Sequence, residues 1–328
     1  MVAYTGPLAF RAGAKVRYGF NGWVGEKLES PAEPHSPGIA LATLEGLNGR
    51  SAVDLVIGAG HDWDNNHGTD YRLWTDLNPV DSHLHAASRE TDRLGLGALN
   101  VGLGSAGISR GIISWRDNQA VDSLVGGDAR FSRLVWVDPG QSSPKEVADR
   151  LAAEHVGLKL HPGVDDYPAD DPRLDSFVEQ AARANTPVAV HSGPGNSDPA
   201  KIARLAARFP TVPFVLYHTY LGLPRGRRKA IRLARDQENL ILETSWCSWD
   251  AVEQLIGALG PERVIFGSDA SVDGERHYSI RNLGGRETYK EVMCWMVERL
   301  GIETARAVLG DNTRRLFRLE SPDTKGDG

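Results

Sequence analysis

Two histidines that stand two residues apart, His83 and His85, follow a short apolar run and could bind a metal ion. In a β-strand, residues i and i+2 project to the same face, so both imidazoles would point to one place while Leu84 packs behind them. Neutral imidazole is a common ligand of zinc, iron and nickel. Short His-x-His runs also arise by chance, so the interpretation depends on the rest of the chain.

Further ligand-type side chains end other predicted strands. Lys159 and His161 repeat the two-residue spacing, and three single polar residues each follow an apolar run: His191, His218 and Asp269. The carboxyl ends of barrel strands meet on one face, where barrel active sites lie. Nitrogen and oxygen ligands that converge from several strands indicate a hydrolytic metal centre. The alternatives are a helix N-cap for Asp269 and a hydrogen-bonded core position for His218.

The elements that would position these residues are short apolar runs alternating with amphipathic helices from residue 79 onward, which predicts βα units and a parallel sheet. Predicted strands cover 80–84, 98–103, 134–137, 157–160, 188–191, 212–218, 240–243 and 264–267. Predicted helices, with apolar positions at three- and four-residue spacing, cover 144–154, 173–185, 199–209, 226–236 and 249–259. We therefore predict an α/β fold with a (β/α)8 TIM barrel. A doubly wound open sheet is disfavoured because no Gly-x-Gly-x-x-Gly turn follows the first strand.

The segment before the barrel has a different character and predicts a small all-β, sandwich-like module. Strands are predicted at 15–20, 52–57 and 71–74, with a turn at Asn21-Gly22 and a loop over the proline-containing stretch 25–38. The predicted domains are the module at 1–77, the barrel at 78–320 and a disordered tail at 321–328.

Composition limits the classes of partner and location. The chain has 328 residues, 41% of them hydrophobic and 24% charged, which is typical of a globular protein with a large core. A formal net charge of −6 gives no reason to expect nucleic acid, and the basic run at 225–229 is interpreted as a solvated helix face. Cys247 and Cys294 belong to no metal or redox motif. Without a signal-peptide pattern or a long apolar run, we expect a cytoplasmic protein with no membrane partner.

The N-terminal segment resembles a family of starch-binding carbohydrate-binding modules. The matching residues are Tyr-Gly-Phe-Asn-Gly-Trp at 18–23 and Trp-Asp-Asn-Asn-His-Gly-Thr-Asp-Tyr at 63–71. The segment departs from the family in its short length, in its lack of a leading strand, and in Arg17 where the family usually has histidine. The resemblance implies an oligosaccharide partner that stacks on Trp23 and Trp63. The alternative is that both tryptophans are core residues and the module only covers the second domain.

The later segment, from about 79 to 318, is similar to the amidohydrolase superfamily. The motifs that carry this resemblance are Asp-x-His-x-His at 81–85, Gly-Leu-Lys-Leu-His-Pro at 157–162, Val-His-Ser-Gly at 190–193, His218, Glu-Thr-Ser at 243–245, Phe-Gly-Ser-Asp at 266–269 and Asn-x-x-Arg-Leu-Phe at 312–317. The resemblance implies a metal-dependent barrel. Its relatives are mostly hydrolases, with some decarboxylases of unsaturated or aromatic acids.

The resemblance also implies roles for individual residues. His83, His85 and His191 would bind one divalent metal, with zinc in first place and Mn or Fe as alternatives. Asp269 would be a fourth ligand or the proton acceptor for a metal-bound water. His218 would orient that water or stabilise an oxyanion.

Lys159 has two open roles under this resemblance. In some members of the superfamily a carbamylated lysine bridges two metals, whereas in the closest branch Lys159 would stay a cation that polarises the substrate or pairs with Asp269. With no third carboxylate evident for a second ion, one metal is predicted. His161, the last residue of its strand, is predicted either to support the metal ligands or to face the substrate, and not to be a ligand itself.

Substrate contacts are predicted on loops over the mouth of the barrel. Arg276, His277 and Arg281 follow the eighth strand, and Trp246 follows the seventh. Arginines suit a carboxylate or phosphate, and a tryptophan suits a planar group. The alternative is that these arginines only form surface ion pairs.

These residues predict a metal-dependent hydrolase acting on an amide, lactone or related C–N or C–O bond of a small organic acid through a metal-bound hydroxide. One alternative is a lyase, a metal-dependent non-oxidative decarboxylase of an unsaturated or aromatic carboxylate. Another is a glucan-binding protein with an inactive barrel. The expected partner is a small carboxylate, and the oligomeric state is left open, with a homodimer as one option.

Overall fold

The fold comes from a computed structural model of the 328-residue chain. It describes residues 1–20, 23, 25–36, 38–48, 52–87, 94–221, 224–270, 279–282 and 285–319, with backbone alone at 98, 279–282 and 285–292. Two compact units are present: Met1–Asn78 with Asn100–Ile108, and Pro79–Leu99 with Ser109–Gly328. The predicted turn at Asn21-Gly22 and the predicted disordered tail at 321–328 lie outside the described residues.

The N-terminal unit is built on two antiparallel sheets. Its strands are β1 (Val2–Tyr4), β2 (Lys15–Gly19), β3 (Leu28–Pro31), β4 (Glu33–Ser36), β5 (Ile39–Ala42), β6 (Ala52–Ala59), β7 (Asp62–Asp64) and β8 (Tyr71–Trp74). One sheet has the order β1-β5-β4, and the other has the order β3-β2-β6-β7 with β8 also paired to β6. In β2 the buried Val16 and Tyr18 alternate with polar residues, and in β6 most residues are buried, among them Leu55 and Ile57. The prediction of all-β structure here is confirmed.

The prediction of a loop over 25–38 was wrong, because this stretch contains β3 and β4. Both are edge strands, since among the described strands β3 pairs with β2 and β4 pairs with β5. Pro31 ends β3, and Pro34 lies in β4, whose four residues are all exposed. Proline is tolerated at such edges because its missing N–H is not needed there. The prolines therefore mark sheet edges and not a loop.

The second unit is the predicted TIM barrel. Eight parallel strands lie in sequence order: β9 (Val80–His85), β10 (Arg110–Ser114), β11 (Phe131–Val137), β12 (His155–Leu160), β13 (Val188–His191), β14 (Phe214–Tyr217), β15 (Leu240–Glu243) and β16 (Val264–Ile265). A hairpin follows, formed by β17 (Ser279–Asn282) and β18 (Gly285–Thr288). This topology confirms the predicted fold class.

Helices of the described chain separate the barrel strands, and three further helices follow the hairpin. They are α1 (Gly97–Ala106), α2 (Asn118–Val125), α3 (Pro144–Ala152), α4 (Asp175–Ala184), α5 (Pro199–Arg208), α6 (Pro224–Asp236), α7 (Trp249–Leu259), α8 (Tyr289–Leu300), α9 (Ile302–Arg306) and α10 (Asn312–Phe317), with a π-helical turn at Ala307–Asp311. Ser143 and Asp198 cap α3 and α5, each followed by proline at the first helical position. Within the described part of the chain, no helix has the length and apolar character needed to cross a bilayer.

The predicted second barrel strand at 98–103 was wrong. These residues lie in α1, and the second strand is β10, which begins at Arg110. The helix ends at Gly107, whose φ of 69° is the left-handed conformation that glycine adopts at helix ends. The β-branched, fully buried pair Ile112 and Ile113 then forms the strand. The sequence pattern of a glycine-rich apolar run is compatible with a strand and with a buried helix. The length of ten residues favours a helix here.

Hydrogen bonds join β9 to the segment that follows β16 and so close the barrel. The backbone N–H of Asp269 donates to the carbonyl of His83 at 2.9 Å. The Asp81 carboxylate accepts from the backbone N–H of His83 at 2.9 Å and from that of Ser268 at 3.1 Å. The first and last strands are therefore held together at the residues that the sequence predicts to be functional.

Candidate metal centre

His83, His85 and Asp269 meet at the carboxyl end of the barrel. Every residue of β9 is buried, and His83 and His85 are 1% and 4% exposed. Their Nε2 atoms lie 3.2 Å and 2.9 Å from Oδ1 of Asp269. The indole N–H of Trp246 donates to the other carboxylate oxygen of Asp269 at 2.7 Å. One oxygen of Asp269 is thus fixed while the second faces both imidazoles.

Glu243, at the end of β15, lies on the other side of His83. Its Oε2 accepts from the backbone N–H of His218 at 2.7 Å and from the hydroxyl of Ser245 at 2.7 Å, and its Oε1 accepts from the backbone N–H of Ser245 at 2.6 Å. Nδ1 of His83 lies 3.5 Å from Glu243 Oε2. Burial raises the pKa of Glu243 to about 8, against the lowering effect of these hydrogen bonds. Glu243 is therefore positioned to set the orientation of the His83 ring.

Two overlapping groups of donor atoms could hold a cation, and both include His83. One is His83 with His85 and Asp269, and the other is His83 with His218 and Glu243; within each group the donor atoms lie within 4.8 Å of one another. Burial, then the charge of Lys159, lowers the pKa of His83 well below its usual value, so the ring is a neutral ligand. Its Nδ1 is buried without a hydrogen-bond partner. Neutral imidazoles beside a buried carboxylate are the donor set of a divalent transition metal, so these residues fit one.

Lys159 of β12 lies directly beside this donor set. Its Nζ is 3.2 Å from Nε2 of His83 and 4.1 Å from the ring centroid of Tyr217. The side chain is completely buried. Burial lowers the pKa of Lys159 to about 7, although Asp269 and Glu243 act in the opposite direction. Lys159 is thus positioned to interact with a substrate bound at the centre.

The structure brings His191 next to His218 and His161. Nδ1 of His191 lies 3.1 Å from Nε2 of His218, whose own Nδ1 lies 2.8 Å from the Ser245 hydroxyl. The His191 ring also stacks on His161, with centroids 4.0 Å apart and planes at 15°. Among the described residues, neither donor group contains His191. His191 and His161 instead form a wall of the adjoining cavity.

A cavity of about 310 Å³ opens beside these residues. Its lining is mainly aromatic and imidazole: Trp115, Trp136, Trp246, His85, His161, His191 and His218, with Arg116 and Asp269 as the charged groups. Of the predicted substrate contacts, His161 and Trp246 therefore line the cavity. Arg276 and His277 lie outside the described residues, and Arg281 lies in β17, whose side chains are not described.

The lining residues that the sequence did not predict include Trp115, Arg116 and Trp136. Trp115 and Arg116 directly follow β10, and they were not considered because the second strand was predicted at 98–103. A buried apolar run followed by Trp-Arg was the available signal. Trp136 lies within β11, where an aromatic residue reads as core.

Several residues of the site adopt left-handed backbone conformations. The φ values are 67° for His218, 55° for Thr219, 61° for Trp246 and 66° for Asp269, all without glycine. Such conformations cost roughly 1–3 kcal/mol each and persist only where surrounding contacts impose them. Here the contacts include the bonds to the backbone N–H groups of His218 and Asp269 described above. The turns after β14, β15 and β16 therefore aim their side chains into the site at a cost in stability.

Glu243 was also missed as a functional residue, although the Glu-Thr-Ser motif at the end of a predicted strand was a signal for it. We expect Glu243→Gln to weaken metal affinity by about 10–100-fold, because it replaces the carboxyl group that faces Nδ1 of His83 by an amide. Competition with a fluorescent chelator measures this affinity. Glu253→Gln, on a partly exposed residue of α7 that pairs with Arg299, is the control and should leave the affinity unchanged. Equal affinity in wild type and Glu243→Gln would contradict the orienting role.

The family model described as amidohydrolase matches residues 80–319, most of the chain. The chain therefore belongs to the amidohydrolase family, a family of metal-dependent enzymes. The match covers the barrel strands and every residue of the two donor groups. No curated protein matches the sequence.

Solved structures support the same fold. Amidohydrolase 2 from Bifidobacterium longum subsp. infantis is 17% identical, with a TM-score of 0.55 over 74% of this chain and 100% of that one. A probable 2-pyrone-4,6-dicarboxylic acid hydrolase from Acinetobacter baumannii, solved with citric acid, is 16% identical, with a TM-score of 0.54 over 74% and 100%. The 5-carboxyvanillate decarboxylase from Novosphingobium aromaticivorans, solved with manganese and a nitrobenzoic acid, is 12% identical, with a TM-score of 0.52 over 74% and 96%. At these identities the likeness establishes the fold and leaves the reaction open.

Proposed function

We propose that the chain is a metal-dependent hydrolase that cleaves an amide, lactone or related C–N or C–O bond of a small organic acid. The observation that carries this proposal is the placement of Asp269. One of its oxygens faces Nε2 of both His83 and His85, and Trp246 holds the other. A carboxylate fixed in this way can take a proton from an attacking water at Oδ1 and pass it to the leaving group.

His83, His85 and Asp269 would hold a single divalent cation, with zinc in first place and Mn or Fe as alternatives. Such a cation supplies a Lewis acid that makes water acidic and polarises a substrate oxygen. Glu243 already accepts hydrogen bonds from backbone and hydroxyl donors, which favours an orienting role over a second metal. His191 stays a predicted ligand.

The remaining polar residues of the centre would orient the water and stabilise charge on the substrate. His218 is held by the Ser245 hydroxyl through Nδ1 and lines the cavity, so its Nε2 can accept a hydrogen bond from the attacking water and orient it. Lys159 would act as a cation that polarises the substrate, as its position beside His83 allows. Burial of both side chains strengthens these interactions, because little water competes for them.

The cavity favours a small planar acid. Three tryptophans line a volume of about 310 Å³, and their flat faces suit a planar or ring-shaped group. Arg116 is an exposed cation in this lining and its guanidinium matches a carboxylate in shape and charge. We infer that Arg116 binds the carboxylate of the substrate.

Replacing Arg116 by Gln tests this inference. We expect KM for the acid to rise about 10–100-fold while kcat changes little, because a charge-assisted hydrogen bond to the bound substrate is lost. Steady-state kinetics give both constants. Arg130→Gln, on a residue paired with Asp128 away from the cavity lining, is the control. A fall in kcat at constant KM would place Arg116 in the chemical step instead.

Decarboxylation of an unsaturated or aromatic acid is a second candidate on the same site. The observation that favours it is the aromatic lining, since Trp115, Trp136 and Trp246 would shield a carboxylate from water. The two reactions are separated by incubating the metal-loaded protein with enol lactones and with 2-hydroxybenzoates. Ring opening without release of CO₂ supports hydrolysis. Release of CO₂ from the benzoates, with the lactones untouched, would replace hydrolysis by decarboxylation.

For the N-terminal unit we propose binding of an oligosaccharide. Trp63 in β7 is 40% exposed and lies against Gly58, with the Arg17 guanidinium 4.6 Å from its ring centroid. Trp23 is half-buried, and its indole N–H donates to Asp70 at 2.7 Å. Trp63 therefore offers the more accessible stacking surface.

Affinity electrophoresis in gels containing soluble starch tests this proposal. We expect Trp63→Ala to abolish retardation by the glucan, because the stacking face is removed. Phe10→Ala is the matched control, since Phe10 is an exposed aromatic residue of the same unit. If the wild-type chain is not retarded, glucan binding by the N-terminal unit is excluded. The unit would then have a structural role only.

A further inference from the structure

A second cavity, of about 620 Å³, lies at the start of α6 and is lined mainly by cationic side chains. The residues that matter are Arg225, Arg228, Lys229 and Arg232 from α6, with Asp198 and Tyr220. Arg225, Arg228 and Lys229 belong to the basic run at 225–229 that the sequence suggested was a solvated helix face, and Arg232 follows on the same helix. The structure shows that this face borders a concave surface, which we call the basic groove.

The basic groove carries an excess of positive charge on an acidic chain. Lys229 is paired with Asp198 at 2.6 Å. The remaining cations, Arg225, Arg228 and Arg232, are exposed, and no ion pair links them to a carboxylate within the described residues. Four cations against one carboxylate give a net charge of +3 for this lining. The formal charge of the chain is −6, so this charge is a local concentration and not a general property of the surface.

The walls of the basic groove are held in place by other contacts. The ring of Tyr220 packs against Gly226, where a β-carbon would overlap the ring. Asp198 accepts from the backbone N–H of Ala200 as the cap of α5, and it binds Lys229 with the same oxygen. The three guanidinium groups therefore project from a helix that these contacts hold in place, which limits the entropy lost on binding.

The basic groove is adjacent to the cavity of the metal centre. Ser197 lines the metal cavity and the next residue, Asp198, lines the basic groove. Likewise, Leu221 lines the metal cavity, and the residue before it, Tyr220, lines the basic groove. At two places, therefore, neighbouring residues of the chain line the two cavities.

We propose that the basic groove binds phosphate groups, specifically the phosphorylated end of a small molecule whose acidic end enters the metal cavity. Guanidinium groups match phosphate oxygens with paired, charge-assisted hydrogen bonds. A lining charge of +3 is balanced by a diphosphate-like group, whereas a single carboxylate leaves most of it uncompensated. Phosphate binding by the groove depends only on the residues that line it. The assignment of that phosphate to the substrate rests on the proposed function.

Calorimetric titration of the full-length, metal-loaded protein with inorganic pyrophosphate at low ionic strength tests the basic groove. We expect Arg228→Gln combined with Arg232→Gln to weaken binding at least about tenfold. The matched control is Arg183→Gln combined with Arg299→Gln, which removes the same charge from exposed positions of α4 and α8. The loss should recur in a His83→Ala background, which separates the groove from pyrophosphate bound at the metal centre. Equal affinity in the two double variants, or no binding by the wild type, would overturn the proposal.

A kinetic measurement tests the link to the substrate. We expect pyrophosphate to inhibit turnover of a phosphorylated acid competitively and to lose this effect in the groove variant. Non-competitive inhibition would show that the phosphate belongs to a separate ligand and would overturn the substrate link. Failure of the proposed hydrolysis appears instead as absent turnover with pyrophosphate binding intact, so the two failures are distinguishable.

Discussion

Replacing Asp269 by Asn is expected to lower kcat by about 10²–10⁴-fold, because the amide cannot take a proton from water. The exchange preserves size and leaves an oxygen that can still accept from the indole N–H of Trp246. Turnover and metal content are measured on the same preparation. Asp250→Asn, on the exposed face of α7, is the matched control and should behave as wild type.

The metal content of Asp269→Asn separates the two roles that are open for this residue. Full metal content with lost turnover assigns Asp269 to proton transfer. Loss of both assigns it to metal binding as well. Turnover within a fewfold of wild type at full metal content would refute the proposed mechanism, since among the described residues no other carboxylate lies within the donor group of His83 and His85.

His83→Ala is expected to leave the protein with almost no bound metal and no measurable turnover. His83 contributes to both donor groups, so its removal leaves two donors in each. Metal per chain is measured by elemental analysis after dialysis, and circular dichroism checks the fold. A chain that keeps one metal per molecule without His83 would show that the centre lies elsewhere.

The control for this exchange is another buried histidine. His155→Ala removes the ring at the start of β12, at the opposite end of the strand from Lys159. His155 is buried, and its Nδ1 lies 2.9 Å from the carbonyl of Arg150. We expect this variant to lose stability but to keep its metal. The comparison distinguishes loss of a ligand from loss of a buried ring.

Sequence pattern predicted the parts of the site that sit on regular strands. His83 and His85 share a face because strand geometry alternates, and Asp269 follows an apolar run that ends at the same edge. Nothing in this inference required knowledge of tertiary contacts. The eight-strand barrel followed from the same repeats, apart from the second strand.

The missed features depend on contacts that periodicity does not encode. Placing the second strand at 98–103 removed Arg116 from consideration, because candidate site residues were expected only directly after predicted strands. Glu243 acts through the backbone of His218 and through Ser245, and these bonds depend on left-handed turns in residues that are not glycine. Non-glycine residues in this conformation leave only a weak signature in the sequence, a preference for Asn, Asp and His.

The hydrogen bonds that join β9 to the end of the barrel have a consequence for folding. A sheet slipped by one residue at this junction would turn alternate side chains to the wrong side. Because Asp269 bonds the backbone of His83, and Asp81 bonds the backbone of Ser268, such a slip would also break the junction itself. Misfolded chains should therefore lack both a closed ring and the capacity to bind metal, so metal uptake would report correct folding of this protein.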